Sequence, residues 1–219
     1  MTDIPSENPL QNTCEQRERL LTERRDALGE DHPETLTAML DLADCLWAQG
    51  RLIAARKLEE QVVEGRRRHL GEQHADTLKA IGKLAVTLAA QGNLAEARLL
   101  QEEVVVGRRN LFGEADRETL RAINNLAGTV AAQGDLAAAR ELLESVVATT
   151  CHEFGEQHPD SLTSMSNLAA ILWQEGDRGE AYALQRQIVE MHPRVHDDND
   201  EAARAAIAVL EMMERDTGF

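Results

Sequence analysis

Residues 28–36, LGEDHPETL, combine side chains that can bind a metal ion or transfer protons. A glycine and three acidic residues, Glu30, Asp31 and Glu34, surround His32, which precedes a proline. Carboxylates and imidazoles are common metal ligands, and the same groups act as general acids and bases. The segment is therefore a candidate metal centre or acid–base pair, which the rest of the sequence must support or exclude.

The pattern recurs three more times at a constant spacing, as LGEQHADTL at 70, FGEADRETL at 112 and FGEQHPDSL at 154. Other positions keep the same 42-residue period, including a Leu-Ala pair, a glycine and a pair of β-branched residues. Within one copy, apolar residues spaced as i, i+3 and i+4 lie on both sides of Gly50. This pattern predicts a helix, a turn at the glycine and a second helix in each copy.

The histidines of the recurring segment occupy one column of the repeat: His32, His74 and His158, with Asp116 in the remaining copy. Aspartate is a favoured N-cap and proline, which follows in two copies, is favoured at the first helical position, so the column predicts helix starts. Successive repeats carry equivalent residues to separate places, which excludes a shared metal site or an acid–base dyad. We predict no catalytic residue, no metal and no cofactor, and therefore no enzyme.

Two other groups of reactive or charged residues have simpler interpretations. Cys151 and His152 are adjacent in a predicted helix and point in different directions, which disfavours a Cys/His nucleophile. The clusters Arg66 to Arg68 and Arg108-Arg109 fall in the last turns of second helices. There a solvated face that compensates the helix dipole is favoured over a phosphate site.

Composition excludes several classes of partner and location. The 219 residues carry a formal net charge of −16, which argues against binding nucleic acid or an anionic membrane surface. The odd number and wide spacing of Cys14, Cys45 and Cys151 predict reduced thiols rather than disulfides. With no signal peptide at the N-terminus and no apolar run near the roughly 20 residues of a membrane span, we expect a soluble, cytoplasmic protein.

The repeat resembles the tetratricopeptide repeat (TPR), which has a small residue eight positions into its first helix, a glycine at the turn and an alanine early in its second helix. The 42-residue period with LG-E-x-H-P between units is similar to the kinesin light chain type, as are INNLAGTVAAQGDLAAAREL at 123–142 and SNLAAILWQEGDRGEAYAL at 166–184. The resemblance implies an all-α fold, a right-handed superhelical solenoid of antiparallel helix pairs with about ten helices. It implies a single solenoid over residues 10–215.

The predicted organisation has a leading helix, four helix pairs and a closing helix. Its segments are a disordered N-terminus (1–9), a leading half repeat (10–28), four repeats (29–70, 71–112, 113–154 and 155–196) and a closing helix (197–215). Asp197 to Asp200 form the predicted N-terminal cap region of the closing helix.

In this family, first-helix residues line a concave groove, and an asparagine just before the Leu-Ala pair hydrogen-bonds the backbone of a bound peptide. The corresponding column here is Asp41, Lys83, Asn125 and Asn167. The resemblance thus implies that Asn125 and Asn167 hold peptide backbone, because an amide both donates and accepts hydrogen bonds. Asn124, in the preceding column, is a further candidate.

Two more groups of candidates lie on first helices. Lys79, Lys83 and Arg121 form either a basic spot that favours a ligand with a carboxylate, or ordinary solvated positions. Trp47 and Trp173 share a column near the helix end, where they either flank the groove as apolar anchors or pack within the hairpin.

The sequence therefore predicts a non-catalytic interaction module that binds a peptide or protein segment in its groove. The alternative is a self-associating assembly scaffold, a homo-oligomer, or a regulatory segment of a larger complex.

Overall fold

A computed structural model of the chain describes residues 9–192 and 200–217. These residues form ten α-helices and no strand. The helices are α1 (Pro9–Leu28), α2 (Pro33–Ala48), α3 (Leu52–Leu70), α4 (Ala75–Ala90), α5 (Leu94–Phe112), α6 (Arg117–Ala132), α7 (Leu136–Phe154), α8 (Pro159–Glu175), α9 (Arg178–Met191) and α10 (Glu201–Thr217). The predicted all-α class with about ten helices is confirmed. Most of the predicted segment 1–9, residues 193–196 of the predicted fourth repeat and residues 197–199 of the predicted closing helix lie outside the described residues.

The chain divides into two compact units, residues 1–111 and 112–219. The division falls within one residue of the predicted junction between the second and third repeats. In unit 1, α2 packs against α1 and α3, and α3 also packs against α4. In unit 2, α7 packs against α6 and α8, and α9 packs against α8 and α10. First-type helices (α2, α4, α6, α8, α10) thus alternate with second-type helices along each unit.

The histidine column starts helices, as predicted. The side chains of His32, His74 and His158 accept hydrogen bonds from the backbone N–H two residues later, at 3.3, 3.1 and 3.1 Å. Asp116 caps α6 in the same way through two backbone N–H groups. Asp200 caps α10 by accepting from the N–H of Ala203 at 3.0 Å. Each cap satisfies donors that the first turn of a helix leaves without a partner.

The turn glycines have the backbone conformation that the sequence predicts. Gly50 and Gly176, for example, have φ angles of 73° and 96°, which disfavour any residue with a Cβ. The chain can therefore reverse within a few residues and return a second helix against the first. The invariant alanines then lie in the contact, since Ala43, Ala85 and Ala127 are completely buried.

The prediction of reduced thiols is wrong for Cys14 and Cys45, which form a disulfide. Cys14 lies on α1 and Cys45 on α2, and packing of the two helices brings their Cα atoms to 5.6 Å. Both side chains are buried, and Cys151 remains a free thiol. The expectation of a cytoplasmic protein therefore loses its argument from reduced thiols. None of the described helices is long and apolar enough to cross a membrane.

The interpretation of the arginine clusters as a solvated face is wrong for Arg66 and Arg108, which are buried. Arg66 donates to the backbone carbonyl of Asp76 at 2.8 Å, at the start of the next first-type helix. Its neighbours bridge other segments, because Arg67 pairs with Glu103 and Arg68 with Asp31, both at 3.0 Å. Most of the first cluster therefore ties neighbouring helices together.

Candidate functional site

Asn125 lies near the middle of α6, immediately before the buried pair Leu126-Ala127. Its side chain is exposed and makes no hydrogen bond to the residues that the structure describes. The buried Leu126 and Ala127 side chains hold the helix against α7, so the amide of Asn125 lies on the exposed face and its donors and acceptor stay available. These are the properties that a group needs to bind a peptide backbone.

Asn167 and Asn124 form a hydrogen-bonded pair between α8 and α6. The Nδ2 atom of Asn167 donates to Oδ1 of Asn124 at 3.2 Å, and Nδ2 of Asn124 donates to the carbonyl of Leu120 at 3.2 Å. Both amides are half-buried. The pair orients the Asn167 amide through its nitrogen and leaves the amide oxygen without a partner among the described residues. Two of the three candidate asparagines are thus in direct contact within unit 2.

Trp173 lies in the last turn of α8 and is half-buried. The guanidinium of Arg178 stacks over its ring, 4.8 Å from the ring centre, and the cation–π attraction holds both side chains. The other tryptophan of the column, Trp47, is 43% exposed at the end of α2. Trp47 and Trp173 belong to different units.

The three basic candidates have different environments. In unit 1, the ammonium of Lys83 pairs with Asp44 of α2 at 2.5 Å, whereas Lys79 is exposed. In unit 2, Arg121 is 73% exposed and pairs with Glu118 on its own helix at 2.7 Å. Two of the three positive charges are thus offset by carboxylates of this chain. Asp41, in the asparagine column of the first repeat, is exposed, and its backbone carbonyl accepts a hydrogen bond from the guanidinium of Arg17.

A buried carboxyl group beside Lys83 was not predicted from the sequence. Glu59 of α3 is 2% exposed, its Oε1 accepts from the hydroxyl of Thr87 at 3.0 Å, and its Oε2 has no partner among the described residues. Burial raises the pKa of Glu59, and Asp44 and Glu60 add to this effect, whereas the Thr87 bond and Lys83 oppose it. The repeat alignment could have indicated a buried polar position here, because Gln101 and Gln185 occupy the column of Glu59 in other repeats.

Cys151 and His152, the reactive pair of the sequence, have separate contacts in the described part of the chain. Burial raises the pKa of the Cys151 thiol, with Glu156 adding to the effect, so the reactive thiolate is disfavoured. His152 contacts Glu153 at 2.9 Å. Across residues 9–192 and 200–217, no three His, Cys, Asp or Glu side chains converge as metal ligands.

Arg140 of α7 is the centre of a charge network in unit 2. Its guanidinium contacts four carboxylates, and these hydrogen bonds raise its pKa above the ordinary range. The four are Glu144 at 2.7 Å, Glu175 at 3.3 Å, Asp177 at 2.9 Å and Glu180 at 3.2 Å. They come from α7, from the end of α8 and the turn after it, and from α9, so the network fixes one hairpin against the next.

Comparisons with known proteins agree with this architecture. The tetratricopeptide repeat family matches residues 10–68, 76–151 and 118–194. Among solved structures, a variant of a Podosopora anserina protein, described as a kinesin light chain with nearly identical TPR-like repeats, is 30% identical to this chain. That match has a TM-score of 0.76 and covers 83% of this chain and 86% of the other. A second structure of these repeats is 29% identical, has a TM-score of 0.74 and covers 87% and 90%.

A more distant structure shares the fold alone. BtubC (BKLC) from P. vanneervenii is 17% identical, with a TM-score of 0.78 over 97% of this chain and 85% of the other. A search of curated protein sequences finds no match.

Proposed function

Because this chain belongs to the tetratricopeptide repeat family, we propose that it is a non-catalytic interaction module whose unit 2 binds an extended peptide through Asn125 and Asn167. Repeats of this family generally mediate protein–protein interaction. The observation that carries the proposal is the arrangement of amides on α6 and α8. Asn125 is exposed, and Asn124 holds Asn167 at 3.2 Å.

An extended peptide suits this arrangement because its backbone offers an N–H and a C=O at every residue. An asparagine amide pairs with both groups without selecting a side chain, which gives affinity across many sequences. Asn167 is oriented before binding, so less side-chain entropy is lost when the peptide docks. Asn124 therefore acts as a positioning residue for Asn167 in this proposal.

The charge of the peptide is not part of the proposal. The preference for a carboxylate rested on Lys79, Lys83 and Arg121, and two of these cations already have carboxylate partners at 2.5 and 2.7 Å. Lys79 and Lys83 also belong to unit 1, whereas the asparagines belong to unit 2. Trp173 remains a candidate apolar contact for the peptide, close to Asn167 on the same helix.

A peptide-display selection against the whole chain tests the proposal. Peptides that are enriched on the unmodified chain would be synthesised, and their affinities for N125A/N167A would be measured by fluorescence anisotropy. We expect at least about tenfold weaker binding, since hydrogen bonds contribute about 0.5–1.5 kcal/mol each. N110A is the matched control, because Asn110 is an exposed asparagine on a second-type helix.

Equal affinity of the selected peptides for the unmodified chain and for N125A/N167A would overturn the proposal, provided that circular dichroism shows both proteins folded. Light scattering over a concentration series tests the scaffold alternative. A mass that rises with concentration, together with failure of the peptide selection, would favour self-association instead.

A further inference from the structure

A pocket of about 490 Å³ lies between α8 and α10 in unit 2. Asn167 and Trp173 form part of the wall contributed by α8, and Val209, Met212 and Met213 form part of the wall contributed by α10. Gln185 of α9 also lines the pocket and is 1% exposed. The pocket falls in the size range of small-ligand sites, and its lining contains no charged residue.

The closing helix has a polar face where other first-type helices carry core residues. Extending the repeat period from α8 to α10 places Arg204 at the position of Leu162 and Glu211 at that of Ala169. Leu162 and Ala169 are buried, whereas Arg204 and Glu211 are exposed. This substitution of polar for apolar residues is typical of a capping helix at the end of a repeat array.

The face of α10 toward the pocket carries larger apolar side chains than α8 has at the equivalent positions. Val209 takes the position of Asn167, and Met212 takes that of Ala170. Val209 and Met212 remain 39% and 41% exposed, so they are not needed to fill the core. A helix that elsewhere exchanges apolar for polar residues has thus kept two large apolar side chains at the pocket.

We propose that the pocket between α8 and α10 binds one large apolar side chain of a basic peptide whose backbone is held by Asn167. This inference rests on the proposed peptide-binding function and adds the class of peptide. Methionine side chains adapt to the shape of an apolar group, and the Trp173 ring supplies a flat apolar wall. The Asn167 amide, which also lines the pocket, pairs with the backbone beside the bound side chain.

Charge complementarity determines the flanking residues of the peptide. Residues 112–219 carry twenty acidic and eight basic side chains, which gives this half of the chain a net charge of −12. Four basic residues are close in sequence to the lining. Arg178 stacks on Trp173, Arg186 pairs with Glu190, Arg215 donates to the carbonyl of Glu211, and Arg204 is exposed. Lysine or arginine residues beside the apolar side chain are therefore attracted, whereas acidic residues are repelled.

Three labelled nonapeptides test the inference on the full chain by fluorescence anisotropy. The first has a central phenylalanine between two pairs of lysines, the second has alanine in place of phenylalanine, and the third has glutamates in place of lysines. We expect the first to bind at least about tenfold more tightly than the second, since the buried phenylalanine ring accounts for the difference. The third should bind more weakly than the first, by a ratio that falls as salt is added.

The variant V209N/M212A gives the wall of α10 the residues that α8 has at these positions. Both side chains are partly exposed, so the fold should persist, which thermal unfolding checks. We expect the variant to bind the phenylalanine peptide at least about tenfold more weakly than the unmodified chain. L99N/V106A is the matched control, because Leu99 and Val106 of α5 are 67% and 55% exposed and lie in unit 1. This control should bind like the unmodified chain.

The outcomes separate this inference from the proposed function. If Asn125→Ala weakens the binding of display-selected peptides but V209N/M212A does not, the pocket inference is wrong and the proposed function stands. Equal binding of the phenylalanine and alanine peptides, or tighter binding of the glutamate peptide, would also overturn the inference. A dimer that V209N/M212A dissociates would overturn it as well, because the occupant would then be a second copy of this chain.

Discussion

Replacing Glu59 by glutamine should stabilise unit 1 at neutral pH, although it removes a carboxylate from the neighbourhood of Lys83. Glu59 is 2% exposed, and Thr87 donates to one of its oxygens while the other has no partner among the described residues. Burial is the largest influence on its pKa, and it raises it. Gln101 and Gln185 occupy the same column in other repeats, so an amide fits this position.

The magnitude follows from the cost of burying a polar or charged group without full pairing. An unsatisfied buried group costs about 1–3 kcal/mol, and more if it is charged. The neutral amide keeps the Thr87 hydrogen bond and removes the charge. We therefore expect E59Q to raise the free energy of unfolding by about 1–2 kcal/mol near pH 8.

The effect should depend on pH in a defined direction. The folded-state pKa of Glu59 is raised, so its contribution to stability is fully present below the unfolded-state pKa and is lost as pH rises through the folded-state pKa. The stability difference between E59Q and the unmodified chain should be small near pH 4. It should then grow with pH by at most about 1.4 kcal/mol per pH unit.

Urea unfolding of W173F and of E59Q/W173F, monitored by the emission of Trp47, measures this difference in unit 1 between about pH 4 and about pH 8. E72Q in the same background is the matched control, because Glu72 is an exposed glutamate of the same unit. A difference that stays constant with pH, or lower stability of E59Q near pH 8, would refute the argument from burial.

Three further substitutions test other parts of the structure. Cys14→Ser should lower the free energy of unfolding by about 3–4 kcal/mol, because the disulfide to Cys45 closes a loop with a sequence separation of 31 residues. Equal melting temperatures of the variant and the unmodified chain under oxidising conditions would contradict this. His158→Ala should lower the free energy of unfolding by about 1 kcal/mol because α8 loses its N-cap, whereas His158→Asp should keep the cap and the stability. Urea unfolding of the two variants measures this difference. Arg140→Ala should lower the melting temperature most at low salt, because four carboxylates then repel one another, and a salt-independent loss would count against the network.

The helices, their caps and their turns were predictable because local chemistry repeats with the period. A histidine or aspartate before each first helix and a glycine after it specify start and stop without reference to distant residues. The fourfold recurrence then distinguishes these residues from a catalytic cluster, since His158 and His32 each bond the backbone of their own helix.

Contacts between repeats were not predictable in the same way. The disulfide joins cysteines of different helices, and neither cysteine recurs at the equivalent position of the next repeat. The pairing of Lys83 with Asp44 and the burial of Glu59 likewise depend on how neighbouring helices approach. The apolar wall of α10 could have been found from the sequence. Val209 lies one repeat period after Asn167, so the alignment shows an apolar residue at a position where α8 has a polar one.

The most direct test of peptide binding by unit 2 is a double-mutant cycle between Asn125→Ala and N-methylation of a selected peptide. Methylation removes one backbone N–H at a time, and titration calorimetry gives the affinity of each combination. If Asn125 binds the peptide backbone, one methylated position should show a coupling energy of about 0.5–3 kcal/mol with Asn125→Ala. Additive losses at every methylated position would contradict peptide-backbone recognition by Asn125.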